Sequence, residues 1–162
     1  MQLSPEEIAT SRIMIVDDDE LVTSSLSGFF ALELDVDPVV FNSATAAAEY
    51  LAENDVDLVI SDFLMPEMNG IELLTKAREA QPHVPRILLT GYADKENAIR
   101  AINDVGVFQY IEKPWENDRL KGSVIDALTK LVALRQLTDE IDELQGDTDF
   151  ISLREALLHT MD

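Results

Sequence analysis

The feature that most constrains this chain is the regular alternation of short apolar runs with longer segments of helical periodicity. The runs are three or four residues long, which suits β-strands, and the segments between them place apolar residues three and four apart, as at Leu26, Phe29 and Phe30. Strands that are apolar almost throughout are typical of a parallel sheet covered by helices on both faces. We therefore predict an α/β sandwich of three layers. The predicted strands are IMIV (13–16), VVF (39–41), DLVI (57–60), RILL (86–89) and FQYI (108–111).

The C-terminal part of the chain predicts one long helix, from Arg119 to about Gln145, because this segment has no proline and only one glycine, Gly122. Two apolar patterns follow each other along it, and the second has the spacing of a short heptad seam. Packing on its own domain, dimerisation and a linker role all remain open for this helix. The first pattern is Leu120, Val124, Ala127, Leu131 and Leu134, and the second is Leu134, Leu137, Ile141 and Leu144. GDTD (146–149) is predicted to end the helix, before an amphipathic segment at 150–161.

The charge balance excludes several classes of function. The chain has 32 acidic residues against 12 Lys and Arg and a formal net charge of −20, which disfavours direct binding to a nucleic acid backbone. The absence of cysteine excludes disulfide frameworks, thiolate zinc sites and cysteine nucleophiles. We find no apolar stretch long enough for a membrane span and no signal peptide at the N-terminus, and so expect a cytoplasmic protein.

Polar residues occur where the predicted strands end. Asp17, Asp18 and Asp19 follow the first strand, Asp62 follows the third, Thr90 the fourth and Lys113 the fifth; these are the residues that a parallel sheet brings to one edge. Three converging carboxylates repel one another unless a cation compensates them. Oxygen ligands of this kind suit Mg²⁺, so Asp17, Asp18 and Asp62 predict a magnesium site. Asp19 has a simpler explanation, a position at the N-terminus of a helix, where the helix dipole favours negative charge.

The same set of residues suits phosphoryl transfer. Asp62 is a candidate nucleophile, while Lys113 supplies an ammonium group and Thr90 a hydroxyl for the phosphoryl oxygens. Each residue alone has a simpler explanation: a turn residue, a solvated charge or a helix cap. Their convergence at one edge favours the chemical interpretation.

Four motifs carry a resemblance to a known family. They are IMIVDDDE, LVISDFLMPEMNG, ILLTG and FQYIEKPW, and they occur in the order and spacing of bacterial two-component response regulator receiver (CheY-like) domains. The resemblance covers residues 12–134. It divides the chain into an N-terminal extension (1–11), a receiver domain (12–134) and a helical C-terminal extension (135–162) that is a dimerisation helix or a linker.

The resemblance implies a flavodoxin-like, doubly wound sheet of five parallel strands in the order 2-1-3-4-5 with an extended C-terminal helix. It also implies that Asp62 is the phosphorylation site and that Leu64 adds a main-chain carbonyl to the metal ligands Asp17, Asp18 and Asp62. Thr90, Tyr110 and Lys113 would be switch residues, and the Lys113–Pro114 peptide bond would be cis.

Two positions depart from the commonest polar residues of such domains. Leu64 lies two residues after Asp62, and Tyr92 lies two residues after Thr90. We expect these apolar or bulky side chains to impede the attacking water and so to lengthen the life of the phosphorylated form. A Leu64→Asn, Tyr92→Glu variant that lost its phosphate no faster than the parent would contradict this idea.

The resemblance also implies the partners. The phosphoryl donor would be a sensor histidine kinase or a phosphotransfer protein, and the chain would act as a switch with slow self-dephosphorylation, not as a dedicated enzyme. Output would go to a downstream protein or a covalently linked output domain. A homodimer would form through the C-terminal helix or through the face made by the fourth helix, fifth strand and fifth helix of the receiver.

Two other functions remain alternatives. A haloacid-dehalogenase-like phosphatase would use Asp17 as nucleophile and Asp19 as acid, with Thr90 and Lys113 in supporting roles. It leaves the motif SDFLMPEMNG unexplained. A receiver that can no longer be phosphorylated would serve only for binding. The side chains needed for phosphorylation are, however, all present here: Asp17, Asp18, Asp62, Thr90 and Lys113.

Overall fold

The strands form one parallel sheet. The computed structural model of the protein describes residues 2–91, 94–105 and 109–144. Within these residues the strand order is β2-β1-β3-β4-β5 and every neighbouring pair is parallel, which confirms the predicted flavodoxin-like order. The strands are β1 (Ile13–Val16), β2 (Val39–Phe41), β3 (Leu58–Asp62), β4 (Arg86–Thr90) and β5 (Gln109–Glu112).

Helices cover both faces of the sheet. One apolar cluster packs α1, α2 and α6 on one face, and a second packs α3, α4 and α5 on the other. The strands β1, β3 and β4 lie between them and are buried throughout, so the predicted sandwich of three layers is confirmed. The helices are α1 (Pro5–Ala9), α2 (Glu20–Leu34), α3 (Ala44–Glu53), α4 (Gly70–Ala80), α5 (Lys95–Val105) and α6 (Asn117–Glu143).

Side-chain caps fix where three of these helices begin. Asp19, Ser43 and Asn69 each accept a hydrogen bond from a backbone N–H in the first turn of α2, α3 and α4. Such caps satisfy amide groups that have no partner within the helix. They also fix the end of each strand-to-helix loop at the edge of the sheet where the polar residues gather.

The N-terminal residues form a helix that the sequence analysis did not predict. Ser4 and Glu7 form a reciprocal capping box, and Pro5 occupies the first turn of α1. Leu3 and Ile8 are buried in the cluster that also contains α2 and α6. Residues of the 1–11 extension therefore pack on the core, while the predicted domain boundaries at 11 and 134 stay predictions.

The long C-terminal helix is confirmed as α6. Leu120, Val124, Ala127 and Leu131 are buried along it, as their spacing predicted. Of the later seam, Ile141 is buried, whereas Leu137 and Leu144 are 41% and 62% exposed. The dimer seam stays a prediction, and residues 145–162, with the predicted helix end and amphipathic segment, lie outside the described residues.

One ion pair fastens α6 to the sheet beyond the apolar contacts. Arg135 Nη1 lies 2.8 Å from Asp57 Oδ1, and the other carboxylate oxygen of Asp57 accepts a 2.8 Å hydrogen bond from the backbone N–H of Arg12. Asp57 lies just before β3 and Arg12 just before β1. This places Arg135 at the edge of the sheet opposite the strand ends that carry Asp62 and Thr90.

None of the described helices combines the length and apolarity needed to cross a membrane.

Candidate functional site

Three carboxylates meet at the carboxyl edge of the sheet. Asp17 and Asp18 follow β1, and Asp62 ends the neighbouring strand β3. One oxygen from each lies within 4.8 Å of the others. Asp17 is fully buried and Asp62 is 8% exposed, whereas Asp18 is exposed. The predicted cluster is therefore present, with one carboxylate open to solvent.

Two of the polar residues lie within strands, not after them as the sequence predicted. Asp62 is the last residue of β3 and is paired in register with Leu89, and Thr90 is the last residue of β4. The ladder continues to these residues because the parallel neighbours supply hydrogen-bond partners that no local pattern reveals. The backbone of the nucleophile candidate is consequently held by the sheet, and only its side chain is free to adjust.

Lys113 bridges two of the carboxylates. Its Nζ lies 2.9 Å from Asp17 Oδ2 and 2.8 Å from Asp62 Oδ1. The side chains are 23%, 1% and 11% exposed for Lys113, Asp17 and Asp62, so water screens the interaction only in part. The backbone N–H of Lys113 donates to the Thr90 carbonyl oxygen at 2.9 Å, and the Lys113–Pro114 peptide bond is cis, as expected.

The protonation behaviour of this pair follows from burial and charge. Burial raises the pKa of Asp62 above 3.8, and the neighbouring Asp17 raises it further, against the opposing effect of Lys113. Burial alone would lower the pKa of Lys113, but its hydrogen bonds to Asp62 and Asp17 raise that pKa overall. The site therefore holds a protonated lysine among carboxylates whose combined charge it does not neutralise.

We expect Asp62→Asn to be more stable to unfolding than the wild type at neutral pH without Mg²⁺. Because the pKa of Asp62 is raised in the folded protein, its ionisation disfavours folding at pH values above that raised pKa. The penalty should vanish as pH falls through that pKa towards 3.8, below which both states are protonated. Urea unfolding between pH 4 and 7 measures the gap, and a gap that widened as the pH fell would contradict this assignment.

The donor set fits a hard divalent cation. Magnesium prefers oxygen ligands and retains several waters, so two or three carboxylates open to solvent on one side suit it better than a closed cage. Asp18 provides the open side, and Lys113 alone leaves an excess of negative charge in the cluster. The residues thus satisfy the chemistry of a magnesium site.

The loop after Asp62 is tightly anchored. The backbone N–H of Phe63 donates to the Leu89 carbonyl oxygen at 2.9 Å, and the N–H of Gly70 donates to the Phe63 carbonyl oxygen at 2.7 Å. A Cβ on Gly70 would overlap the backbone carbonyl oxygen of Asp62. Between these anchors Leu64 is 56% exposed, and its main-chain carbonyl stays a predicted metal ligand.

The remaining predicted residues lie around this centre. Thr90 is fully buried, and its hydroxyl donates to the Gly91 carbonyl oxygen at 3.2 Å. Tyr110 is half-buried in β5 opposite Leu88 and packs on the apolar cluster of α3, α4 and α5. Tyr92 lies outside the described residues.

The relationship to known proteins agrees with this geometry. Residues 13–125 match the model of the response regulator receiver domain family. The chain belongs to this family. Regulatory protein AtoC of Escherichia coli strain K12 is 38% identical to the receiver over 120 residues, which are 74% of this chain and 26% of AtoC. Hydrogenase transcriptional regulatory protein HoxA of Cupriavidus necator is 33% identical over 143 residues, 88% of this chain and 27% of HoxA.

Solved structures of receiver domains superpose on this chain. The signal receiver domain of an HD domain-containing protein from Pseudomonas fluorescens Pf-5 superposes with a TM-score of 0.70 at 32% identity, covering 76% of this chain and 98% of that one. The chain spans about a quarter of the length of relatives such as AtoC and HoxA. The receiver fold and its role in phosphorelay signalling are therefore established at the level of the domain.

These findings do not support the phosphatase alternative. The family match covers the SDFLMPEMNG motif, which that alternative left unexplained. Asp19, the general acid it requires, instead caps α2 by accepting a 2.9 Å hydrogen bond from the backbone N–H of Leu21. Asp19 in the receiver has the helix-capping role.

Sequence reasoning missed two polar side chains beside the receiver's site. The Asn42 Nδ2 donates to the backbone carbonyl oxygen of Asp17 at 2.9 Å and to Thr23 Oγ1 at 3.1 Å. The carboxylate of Glu67 accepts hydrogen bonds from two hydroxyl groups near the start of α3, those of Ser43 and Thr45. Glu67 lies within the motif LVISDFLMPEMNG, but nothing in the sequence indicates these contacts, because the partners are 19 to 25 residues away in the chain.

Proposed function

We propose that this receiver takes a phosphoryl group onto Asp62, from a phosphohistidine on a sensor histidine kinase or a phosphotransfer protein, in a reaction that requires Mg²⁺. The observation that carries the proposal is the position of Asp62 at a strand end, where it shares Lys113 with Asp17 and lies beside Asp18. A nucleophile in this place has a cation at hydrogen-bonding distance and an oxygen-rich metal site within a few ångströms.

Each side chain has its own role in the phosphoryl transfer. A carboxylate oxygen of Asp62 attacks phosphorus, the bond from phosphorus to the donor imidazole nitrogen breaks, and the imidazole leaves with the electron pair of that bond. Lys113 is positioned to pair with one phosphoryl oxygen, since its Nζ already lies 2.8 Å from Asp62. Asp17, Asp18, Asp62 and the Leu64 carbonyl would hold Mg²⁺, which when bound supplies positive charge to the phosphoryl group.

The same residues are suited to relay the change. New charge on Asp62 attracts the Thr90 hydroxyl and the Lys113 ammonium group. Thr90 ends β4, and Lys113 directly follows the edge strand β5. Among the described contacts the Thr90 hydroxyl donates only to the Gly91 carbonyl oxygen, so it can gain a phosphoryl oxygen as a new partner. We infer that Tyr110 repacks with this shift and that the altered surface comprises α5, β5 and α6.

The partners follow from this surface and from the relatives. Output passes to a downstream protein or to a covalently linked output domain, and a homodimer through α6 or through the α5, β5 and α6 face is a further outcome of switching. The exposed Leu137 on α6 and Leu144 directly after it support the first of these dimers. The net charge of −20 supports the absence of direct nucleic acid binding by this chain.

We further propose that the protein is cytoplasmic. The phosphoaspartate would hydrolyse slowly, which limits the lifetime of the signal and is not the activity of a dedicated enzyme.

The test is intact mass after incubation with acetyl phosphate and Mg²⁺. We expect one phosphoryl adduct on the wild type, none on Asp62→Asn, and a much weaker adduct on Asp17→Asn through loss of a metal ligand. Asp126→Asn, an exposed change on α6 far from the carboxylates in sequence, is the matched control and should match the wild type. An adduct that survived Asp62→Asn but required Asp17 would overturn the proposal.

A further inference from the structure

The turn between β2 and α3 touches both loops that carry the proposed metal ligands. On one side, Asn42 donates to the backbone carbonyl oxygen of Asp17, in the loop that carries Asp17 and Asp18. On the other side, Ser43 and Thr45 donate to the carboxylate of Glu67, which belongs to the loop between Asp62 and α4. Residues 42–45, the turn after β2 together with the first two residues of α3, are here called the bridging turn; they connect two loops that approach the site from different strands.

We propose that the bridging turn is a positioning element that sets the separation of these two loops and thereby the affinity of the site for Mg²⁺. The inference rests on the proposed function, because it concerns the same carboxylates. Neither the turn nor Glu67 belongs to the proposed ligand set. Their effect is exerted through Asp17 on one side and through the main chain near Leu64 on the other.

The contacts to Glu67 lie at the protein surface but occupy both oxygens of its carboxylate. The Thr45 hydroxyl lies 2.8 Å from Glu67 Oε2 and the Ser43 hydroxyl 3.1 Å from Oε1, so each carboxylate oxygen has its own donor. Hydrogen bonds to an ionised acceptor are about twice as strong as neutral ones. Glu67 also lies at the N-terminus of α3, where the helix dipole favours negative charge.

The contact of Asn42 acts on the other loop in the same way. Its amide group reaches both the Asp17 carbonyl oxygen and the Thr23 hydroxyl of α2, while the backbone N–H of Asp17 donates to the Phe41 carbonyl oxygen at 3.1 Å. The peptide groups on both sides of Asp17 are therefore held from the end of β2. Residues that orient metal ligands in this way commonly change metal affinity about 10-fold to 100-fold when replaced.

The main experiment measures the dissociation constant of Mg²⁺ by titration calorimetry, using the wild-type chain and variants of the bridge. We expect Asn42→Ala and Glu67→Ala each to weaken binding roughly 10-fold, at the low end of that range, with both proteins still unfolding cooperatively in urea. Glu53→Ala is the matched control, since it removes an exposed acid at the end of α3 away from these contacts. It should change the dissociation constant less than 2-fold, as expected of a screened surface charge.

Two further variants separate positioning from simple charge. Ser43→Gly, Thr45→Val removes the donors without changing charge, and glycine at position 43 is nearly as good an N-cap for α3 as serine. This variant should weaken Mg²⁺ binding as much as Glu67→Ala does, with no further loss when the changes are combined. At saturating Mg²⁺ the maximal rate of phosphorylation by acetyl phosphate should stay close to that of the wild type, because only ligand spacing is altered. Equal loss in Glu67→Ala and Glu53→Ala, or wild-type affinity in the hydroxyl double variant, would overturn the proposal.

The outcomes also separate this inference from the proposed function. A wild type that forms the Asp62 adduct while every bridge variant binds Mg²⁺ normally would overturn the bridging role alone. A wild type that binds Mg²⁺ but forms no adduct would overturn the proposed function, and the calorimetric comparison would still decide the role of the turn. Failure of the wild type to bind Mg²⁺ at millimolar concentration would overturn both.

Discussion

Replacing Gly70 with alanine is expected to destabilise the receiver by about 2–3 kcal/mol, which is the upper part of the range for overpacking. The added Cβ would overlap the backbone carbonyl oxygen of Asp62 and press on the Leu88 side chain. Neither neighbour can retreat cheaply, because Asp62 is paired in the sheet and Leu88 is fully buried. Thermal unfolding should show a loss of roughly 5–10 °C, together with weaker phosphorylation, since the displaced peptide group is that of the phosphoacceptor candidate.

Gly122 provides the matched control for this substitution. It lies inside α6, is exposed, and a Cβ there would meet no atom within 4 Å. Alanine at that position should stabilise the protein by about 0.5–1 kcal/mol, because glycine loses more backbone entropy in a helix. If Gly70→Ala also stabilised the receiver, the close approach of α4 to Asp62 would be refuted.

The second large effect is expected from Lys113→Met. Removing the ammonium group while keeping a side chain of similar length leaves Asp17 and Asp62 facing each other without their shared cation. Loss of one partner from a mostly buried ion pair costs about 3–5 kcal/mol, and we expect about 2–4 here because Lys113 is partly exposed. Urea unfolding in the presence of a chelator measures this loss directly.

Magnesium should raise the stability of Lys113→Met to about that of the wild type without Mg²⁺. A cation at 100 times its dissociation constant adds about 2.7 kcal/mol to the stability of a folded protein, and it restores the missing positive charge. Lys121→Met is the control, because its contact with Glu33 is 3.7 Å long and both side chains are more than one third exposed. That change should cost less than about 1 kcal/mol. A Lys113→Met variant as stable as the wild type without Mg²⁺ would show that the ion pair contributes nothing.

The sequence was sufficient for the architecture because the strands are apolar over most of their length. Buried parallel strands separated by helices leave few alternatives, and the family resemblance supplied the strand order. Helix α1 was missed although its signal was visible, since Ser4, Pro5 and Glu7 have the pattern of a capping box with proline in the first turn. The short length of α1 hides any apolar periodicity, and its burial depends on contacts with α2 and α6.

The residues of the candidate site were predictable for a different reason. Asp17, Asp62 and Thr90 follow from strand ends alone, because a parallel sheet brings all its carboxyl ends to one edge. The contacts of Asn42, Glu67 and the buried Gln81 could not be predicted. Gln81 connects the end of α4 to the end of α3 and the loop after it, through hydrogen bonds to residues 25 to 30 positions away. Such bonds depend on how loops meet in space, which hydrophobic periodicity does not encode.

The unbroken course of α6 has a consequence for anything joined to the receiver. The helix begins four residues after Lys113, and the packing of its buried residues Leu120 to Leu131 sets its rotation about its own axis. Arg135, which pairs with Asp57, is the last contact of α6 with the sheet described above. Each residue added or removed beyond Arg135 would turn the following segment by about 100° and shift it by about 1.5 Å along the axis. Insertions of seven residues nearly preserve the angular phase, whereas insertions of two reverse it. Chimaeras built on this receiver should therefore be designed by counting residues from Arg135.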